Sequence, residues 1–285
     1  MINHTWHPNS VISDDGTRIA YASIGSGEDI ILVGGVLRLA EAYQGLAAGF
    51  AAAFRVHLME RRGRGLSGPQ GDDYGAQKEA EDLCAVQAAT GAKLAFGHSY
   101  GGFAVLHVAS RHPSMFRRIA VYEPGVILED APGPAWLGPY SARLAEGDTR
   151  GAFATMVKHA GYAPRPLTAM PLAIVRLALR MGIRGRDWQH TEELLEANLA
   201  EHQTLYDSRG IADYAKITAQ TLLIGGSESP ASVSVALEAL RHTIPDASME
   251  ILDGLDHPAP ETHPARVAAC ITQFFASPTP ELARV

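Results

Sequence analysis

Residues 94–106 read LAFGHSYGGFAVL. An apolar run, KLAFG (93–97), ends beside a serine, and GFAVLHVASRH (102–112) continues with helical spacing up to Pro113. A strand that turns at once into a helix must bend within one or two residues, and the residue at the bend is forced toward an unfavourable backbone conformation. Its neighbours two positions away must be small, because strand and helix nearly collide there. Gly97 and Gly101 meet that demand. Ser99 is then expected to project from the C-terminal edge of a sheet, the ligand side of an open α/β sheet. The N–H groups of the following helix point back at it with partial positive charge. The bland alternative is a tight structural turn. GxSxG alone arises readily by chance in a chain with 28 glycines, and the strand before and helix after are what favour a nucleophile.

Outward from this junction, apolar runs alternate with helical patterns. NSVIS (9–13) and RIAYASI (18–24), joined by Asp14-Asp15-Gly16, predict a hairpin. DIILVGG (29–35) is a short continuous apolar run, as a strand buried on both faces requires. AEAYQGLAAGFAAA (40–53) predicts a helix, FRVHLME (54–60) a strand, AQKEAEDLCAVQAAT (76–90) an amphipathic helix stopped by Gly91, and RRIAVYE (117–123) a strand. The next strand is QTLLIGG (220–226), followed by a helix over 231–243, a strand SMEILD (248–253) and a helix PARVAACITQFF (264–275). Strands separated by helices predict an α/β protein: a mostly parallel central sheet, covered by helices on both faces, with the hairpin at one edge.

The interval 126–218 is too long for a connection inside one domain. TRGAFATMVKHA, PLAIVRLALRMGI and TEELLEANLAEHQTLY look helical, and APGPAWLGP precedes them. The expected organisation is a core of 1–125 and 219–285 carrying a helical cap inserted at 126–218.

Composition narrows the function. The formal charge is −7, which speaks against nucleic acid, since phosphate binding needs clustered Lys and Arg. Cys84 and Cys270 fit neither a CxxC nor a zinc-ligand spacing, and two thiols in 285 residues suit a reducing compartment. No basic segment followed by an apolar run opens the chain, and no stretch is long enough to span a bilayer, so a cytoplasmic protein is expected. His4 and His7 form an HxxH without an accompanying ligand cluster and are not read as a metal site.

Several segments together resemble the α/β-hydrolase superfamily: GHSYGG (97–102), ILVGG (31–35), MERRGRGLSG (59–68), VYEPG (121–125), TLLIGGSESP (221–230) and GLDHPAP (254–260). They stand in the superfamily's order and cover nearly all of the chain outside the cap. The resemblance implies a nucleophile elbow at Ser99 and a serine hydrolase, but it specifies no substrate.

A serine hydroxyl needs an adjacent base, and an imidazole with an ordinary pKa of about 6.5 can take and return a proton. His257 follows a predicted strand and a short turn, which brings it to the same sheet edge, and the resemblance places the catalytic histidine there too. His263 is the understudy, and His98 is expected to pack into the turn. An acid must hold the imidazole in one tautomer. Glu228, just past TLLIGG, stands where the superfamily usually has its acid and is preferred. Glu123, ending the sixth strand at the same edge, is the competitor, and Asp256 is a weaker one. The oxyanion donors implied are the N–H groups of Tyr100 and of Val36, after ILVGG. Here the chain has Gly34-Gly35 where the superfamily commonly has His-Gly.

Arg61, Arg62 and Arg64 fit no nucleotide fingerprint and are expected to pack beside the site, paired with carboxylates. Arg176, Arg180 and Arg184 share a helix face that is read as solvated, with a substrate carboxylate as the alternative. Trp136, Tyr140, Met156, Met170, Met181 and Trp188 are apolar bulk, divided between cap core and pocket wall. The expectation is a cofactor-independent serine hydrolase, with no metal, acting on a small or medium, largely apolar ester, lactone or thioester. Carbon–carbon bond hydrolysis with the same triad, or ligand binding on a hydrolase fold, are the alternatives. The partners expected are a small-molecule substrate and, among macromolecules, only a second copy of the chain; neither nucleic acid nor membrane is expected.

Overall fold

Alternating side chains along Ile30-Ile31-Leu32-Val33 go to two different layers, which is how a strand with no polar face is accommodated. Ile31 and Val33 pack with Leu83, Val86, Val105 and Val108 on one side of the sheet. Ile30 and Leu32 pack with Leu46, Phe50, Val267 and Ile271 on the other. Each such side chain, fully withdrawn from water, contributes about 1.5–3 kcal/mol. The computed structural model describes residues 6–160 and 165–277.

The strands are β1 (His7–Ile12), β2 (Arg18–Gly25), β3 (Glu28–Val33), β4 (Phe54–Met59), β5 (Leu94–His98), β6 (Arg118–Tyr122), β7 (Gln220–Gly226) and β8 (Ala247–Leu252). They form one sheet in the order β1-β2-β4-β3-β5-β6-β7-β8. β1 and β2 pair antiparallel, as do β2 and β4, and every later pairing is parallel. The helices α1 (Gln44–Phe50), α2 (Ala76–Thr90) and α3 (Tyr100–Arg111) connect the first strands. Between β6 and β7 lies a helical insert, α4 (Leu137–Ala145), α5 (Thr149–His159), α6 (Arg165–Thr168), α7 (Leu172–Gly182), α8 (Gly185–Glu193) and α9 (Leu195–Asp207). The chain closes with α10 (Ala231–Thr243), α11 (Ala259–Thr262) and α12 (Pro264–Ala276).

One element departs from its expectation. The predicted helix 40–53 is a 3-10 turn over Ala40–Tyr43 followed by α1. The 3-10 turn sets the Tyr43 ring against the sheet, where Tyr43 is fully buried. The insert has its own apolar centre, in which Trp136, Tyr140, Phe153, Trp188 and Leu195 meet Leu37 of the sheet layer. At the opposite end, buried Arg118 donates from Nη1 to the carbonyls of Phe274 and Phe275 at 3.1 and 2.9 Å and to that of Ser277 at 2.6 Å. A cation thereby satisfies the last carbonyls of α12.

Candidate active site

The bend after β5 is as tight as the sequence demands. Ser99 has φ 53° and ψ −120°. A Cβ on Gly97 would stand 2.6 Å from the Gly102 Cα, and one on Gly101 would stand 2.7 Å from the Gly34 oxygen. Both are closer than any real contact, so only glycine fits. Three non-glycine residues among those described have positive φ: Leu37 (54°), Ser99 (53°) and Glu123 (43°). All three border the same site, at the C-terminal ends of the neighbouring strands β3, β5 and β6. Strain of this kind persists only where the surroundings over-determine it.

The imidazole arrives from farther away, beyond β8. Gly226 ends β7 with no side chain, and a Cβ there would meet Asp256 N at 2.8 Å. The loop before His257 therefore lies directly across the end of β7. His257 Nε2 is 3.1 Å from Ser99 Oγ, and its Nδ1 is 2.8 Å from Glu123 Oε2. Because Nδ1–H donates to the carboxylate, Nε2 carries the lone pair and accepts from the serine hydroxyl.

Glu123, not Glu228, faces the imidazole. The Glu123 carboxylate is fully buried. Its Oε1 accepts from Gly226 N at 2.9 Å and from Ser229 Oγ at 2.5 Å. The loop after β7 thus supplies donors to an acid held on β6. Glu228 is exposed in that loop, where its N–H donates to the Leu255 carbonyl at 2.9 Å. Asp256 and His263 are exposed as well.

His98 is buried beside the serine and spans two parts of the site. Its Nε2–H donates to the His257 carbonyl at 2.9 Å, so its Nδ1 accepts from Tyr43 Oη at 2.7 Å, and that same oxygen accepts from Gly35 N–H at 2.8 Å. Burial, then the proximity of His257 and Arg38, holds His98 well below the ordinary histidine range, which keeps it neutral. Tyr43 explains the Gly34-Gly35 departure, since a Cβ on Gly34 would lie 2.5 Å from the Tyr43 ring. Sequence reading placed Tyr43 in a helix and missed this role. A glycine where a larger residue is customary was the available signal, because it implies that a neighbour occupies the space.

Val36 lies in the loop after β3 and lines the cavity next to Ser99. Tyr100 opens α3, so its N–H has no partner within the helix. Its ring is fully buried, under the Arg61 guanidinium at 4.2 Å. Arg61 and Arg64 pair with carboxylates as expected, though one of these, Glu201, comes from α9. Arg62 forms a separate pair with Asp82 at 2.7 Å.

The cavity over Ser99 has a volume of about 370 Å³. Its walls include Val126, Ile127, Trp136, Phe153, Met156 and Leu205. Polar side chains in the wall, besides Ser99 and His257, are Arg38 paired with Glu261 at 2.7 Å, His98, His159, His202 and Tyr206. Of the other insert residues singled out, Tyr140 and Trp188 belong to the insert's centre, while Met170 and Met181 are exposed. Arg176, Arg180 and Arg184 are exposed and do not line the cavity. Among the described residues no three His, Cys, Asp or Glu side chains converge as metal ligands, and no helix is long and apolar enough to cross a membrane. His7 opens β1, and His4 lies outside the described residues.

Comparison with known proteins agrees with this architecture. The model of the alpha/beta hydrolase family matches residues 30–270. The 2-(acetamidomethylene)succinate hydrolase of Mesorhizobium japonicum is 22% identical over 253 residues, spanning 88% of this chain and 89% of that protein. An alpha/beta hydrolase from Sphaerobacter thermophilus superposes with TM-score 0.77 at 29% identity, covering 94% of this chain and 100% of that one. The esterase RhEst1 from a Rhodococcus species superposes with TM-score 0.70 at 20% identity, over 95% and 98%.

Proposed function

Since this chain belongs to the α/β-hydrolase family, we propose that it is a serine hydrolase working through an acyl-enzyme on Ser99. The observation that carries the reading is the hydrogen-bonded series Ser99–His257–Glu123 at the floor of an apolar cavity. Ser99 Oγ attacks the substrate carbonyl carbon as His257 Nε2 takes the hydroxyl proton. Buried Glu123 keeps the imidazole in the required tautomer and stabilises the imidazolium. The new C–O bond leaves an oxyanion, and the N–H groups of Val36 and Tyr100 are its donors. Collapse expels the leaving group, which receives its proton from His257. Water then gives a proton to His257 and attacks the acyl carbon, releasing the acid and restoring Ser99.

The wall of the cavity supports a substrate class. A volume of about 370 Å³ with aliphatic and aromatic lining suits an acyl group of small or medium size. An ester, lactone or thioester is the favoured bond, and the esterase RhEst1 among the structural neighbours supports that class. The test is a fluorophosphonate probe with mass spectrometry, paired with p-nitrophenyl esters of graded acyl length. Labelling at Ser99 in the native chain, absent in Ser99→Ala, together with turnover of short and medium esters, is the expected result. An unlabelled Ser99 would overturn the proposal.

A further inference from the structure

The two buried arginines after β4 bear on the oxyanion loop directly. Gly35 O accepts from Arg61 Nη1 at 3.3 Å and from Arg64 Nη1 at 3.2 Å. Arg64 Nη1 also donates to Arg38 O at 3.2 Å. The Gly35 carbonyl and the Val36 N–H belong to one peptide group, which is planar and trans, so the two bonds point in opposite directions. Fixing the carbonyl on one side fixes the N–H on the other. This peptide lies close to the nucleophile, since a Cβ on Gly35 would stand 3.0 Å from the Ser99 Cβ. Donation to the carbonyl also polarises the peptide and strengthens its N–H as a donor.

What holds the arginines comes from two places. Arg61 pairs with Glu79 of α2 through Nη2 at 2.8 Å and Nε at 3.0 Å. It also pairs with Glu201 of α9 through Nη2 at 2.6 Å, and Arg64 Nη2 bonds the same Glu201 oxygen. All four side chains are at most 2% exposed, and two cations face two anions. Burial acts to raise the Glu79 carboxyl, but Arg61 overrides it and leaves the group below its ordinary value. Buried ion pairs of this kind are poor sources of net stability. Here Arg64 Nε and Glu201 Oε2 even lack hydrogen-bond partners among the described residues. The cluster makes better sense as a device that fixes positions.

We propose that Arg61, Arg64 and Glu201 are positioning residues that orient the Gly35–Val36 peptide as an oxyanion donor, so that seating of α9 on the sheet layer sets the strength of the oxyanion hole. The proposal rests on the acyl-transfer reading of Ser99. Removing the Glu201 charge leaves two buried guanidiniums to share Glu79, which pulls them off the Gly35 carbonyl.

Three measurements on Glu201→Gln test it: phosphonylation rate of Ser99 by a fluorophosphonate, kcat and KM for p-nitrophenyl butyrate, and the amide resonance of Val36. The expected result is a fall of roughly 10–100-fold in kcat and in phosphonylation rate, because one oxyanion donor is weakened rather than deleted. KM should stay within about threefold of the native value, since ground-state contacts are untouched. The Val36 amide should shift, while the downfield proton between His257 and Glu123 stays in place. A purely structural role would leave the Val36 amide unmoved in a folded variant. If Glu201→Gln fails to fold, Arg64→Lys carries the test, because a single ammonium cannot serve Gly35, Arg38 and Glu201 together. Unchanged kcat and an unshifted Val36 amide in the folded variant overturn the proposal. Native chain that is not labelled at Ser99 fails the acyl-transfer reading first, and this proposal with it.

Discussion

Glu123 and Glu228 lie on adjacent strand ends and touch the same loop, yet only one turns its carboxylate to the imidazole. The difference is in the backbone. At φ 43°, Glu123 swings its side chain under His257, while Gly226 and Ser229 donate to its second oxygen. Glu123→Gln should therefore lower kcat by about 10²–10⁴-fold, because an amide no longer fixes the tautomer or stabilises the imidazolium. Glu228→Gln should stay within about twofold, as exposed surface changes do. Steady-state kinetics on one ester decides between them, and equal losses would contradict the geometry. The meeting of Ser99 and His257 at one sheet edge was legible in the sequence, because Ser99 follows β5 directly between small neighbours and His257 follows β8 after a short turn. Glu123 was legible as a candidate acid but not as the one that faces the imidazole, since its reach depends on one left-handed residue, and residue order does not encode that. A second serine, Ser23, sharpens the point. Its hydroxyl donates to His57 Nδ1 at 2.9 Å, and His57 Nε2 donates to Asp29 at 2.8 Å. A serine, a histidine and a carboxylate meet there too, but Ser23 sits in regular strand and its oxygen accepts from Asn9 at 3.2 Å. Fluorophosphonate should not label Ser23, and Ser23→Ala should leave ester turnover unchanged.

At the scale of elements, the turn from β5 to α3 is the tightest constraint. Gly97→Ala pushes a methyl into the first turn of α3 and should reduce stability by about 1–3 kcal/mol, as overpacking does, read from denaturant unfolding. It should also lower turnover by displacing Ser99. The end of α12 offers a separate test, remote from the site. Arg118→Gln leaves three carbonyls without their cation and should cost about 2 kcal/mol. Turnover at low temperature should be retained, because no site residue is touched. The central parallel strands could be read from their apolar runs, because burial on both faces leaves a continuous apolar stretch, whereas the crossing of β3 and β4 in the sheet order could not. The helix at 40–53 was misread over its first turn. Its alanine-rich composition favours a helix throughout, and the packing of Tyr43 against Gly34 overrides that preference.

At the scale of the whole molecule, four histidines among the described residues have their protonation disfavoured by burial: His57, His98, His107 and His202. His107 is pushed down to about 4 by burial and by Arg111, whose Nε donates to its Nε2 at 2.9 Å. An unfolded chain protonates these rings near the ordinary 6.5, and the folded chain does so only at lower pH. Between those values the unfolded state binds more protons, so stability falls as pH falls. The melting temperature should drop on going from pH 7 to pH 5, and His107→Gln should flatten part of that slope. A melting temperature that rises on acidification would contradict the buried, neutral assignment. The insert, finally, departs from β6 and rejoins at β7, and these strands are side by side. Grafting another protein's insert between them is topologically simple, but Glu201 makes it chemically demanding. A foreign helix without an acid at that depth leaves two buried guanidiniums with Glu79 as their one anion. The arginines after β4 and the acid on α9 are thus an inherited unit, separated by 137 residues between Arg64 and Glu201, and recombination that splits them should yield insoluble chimeras.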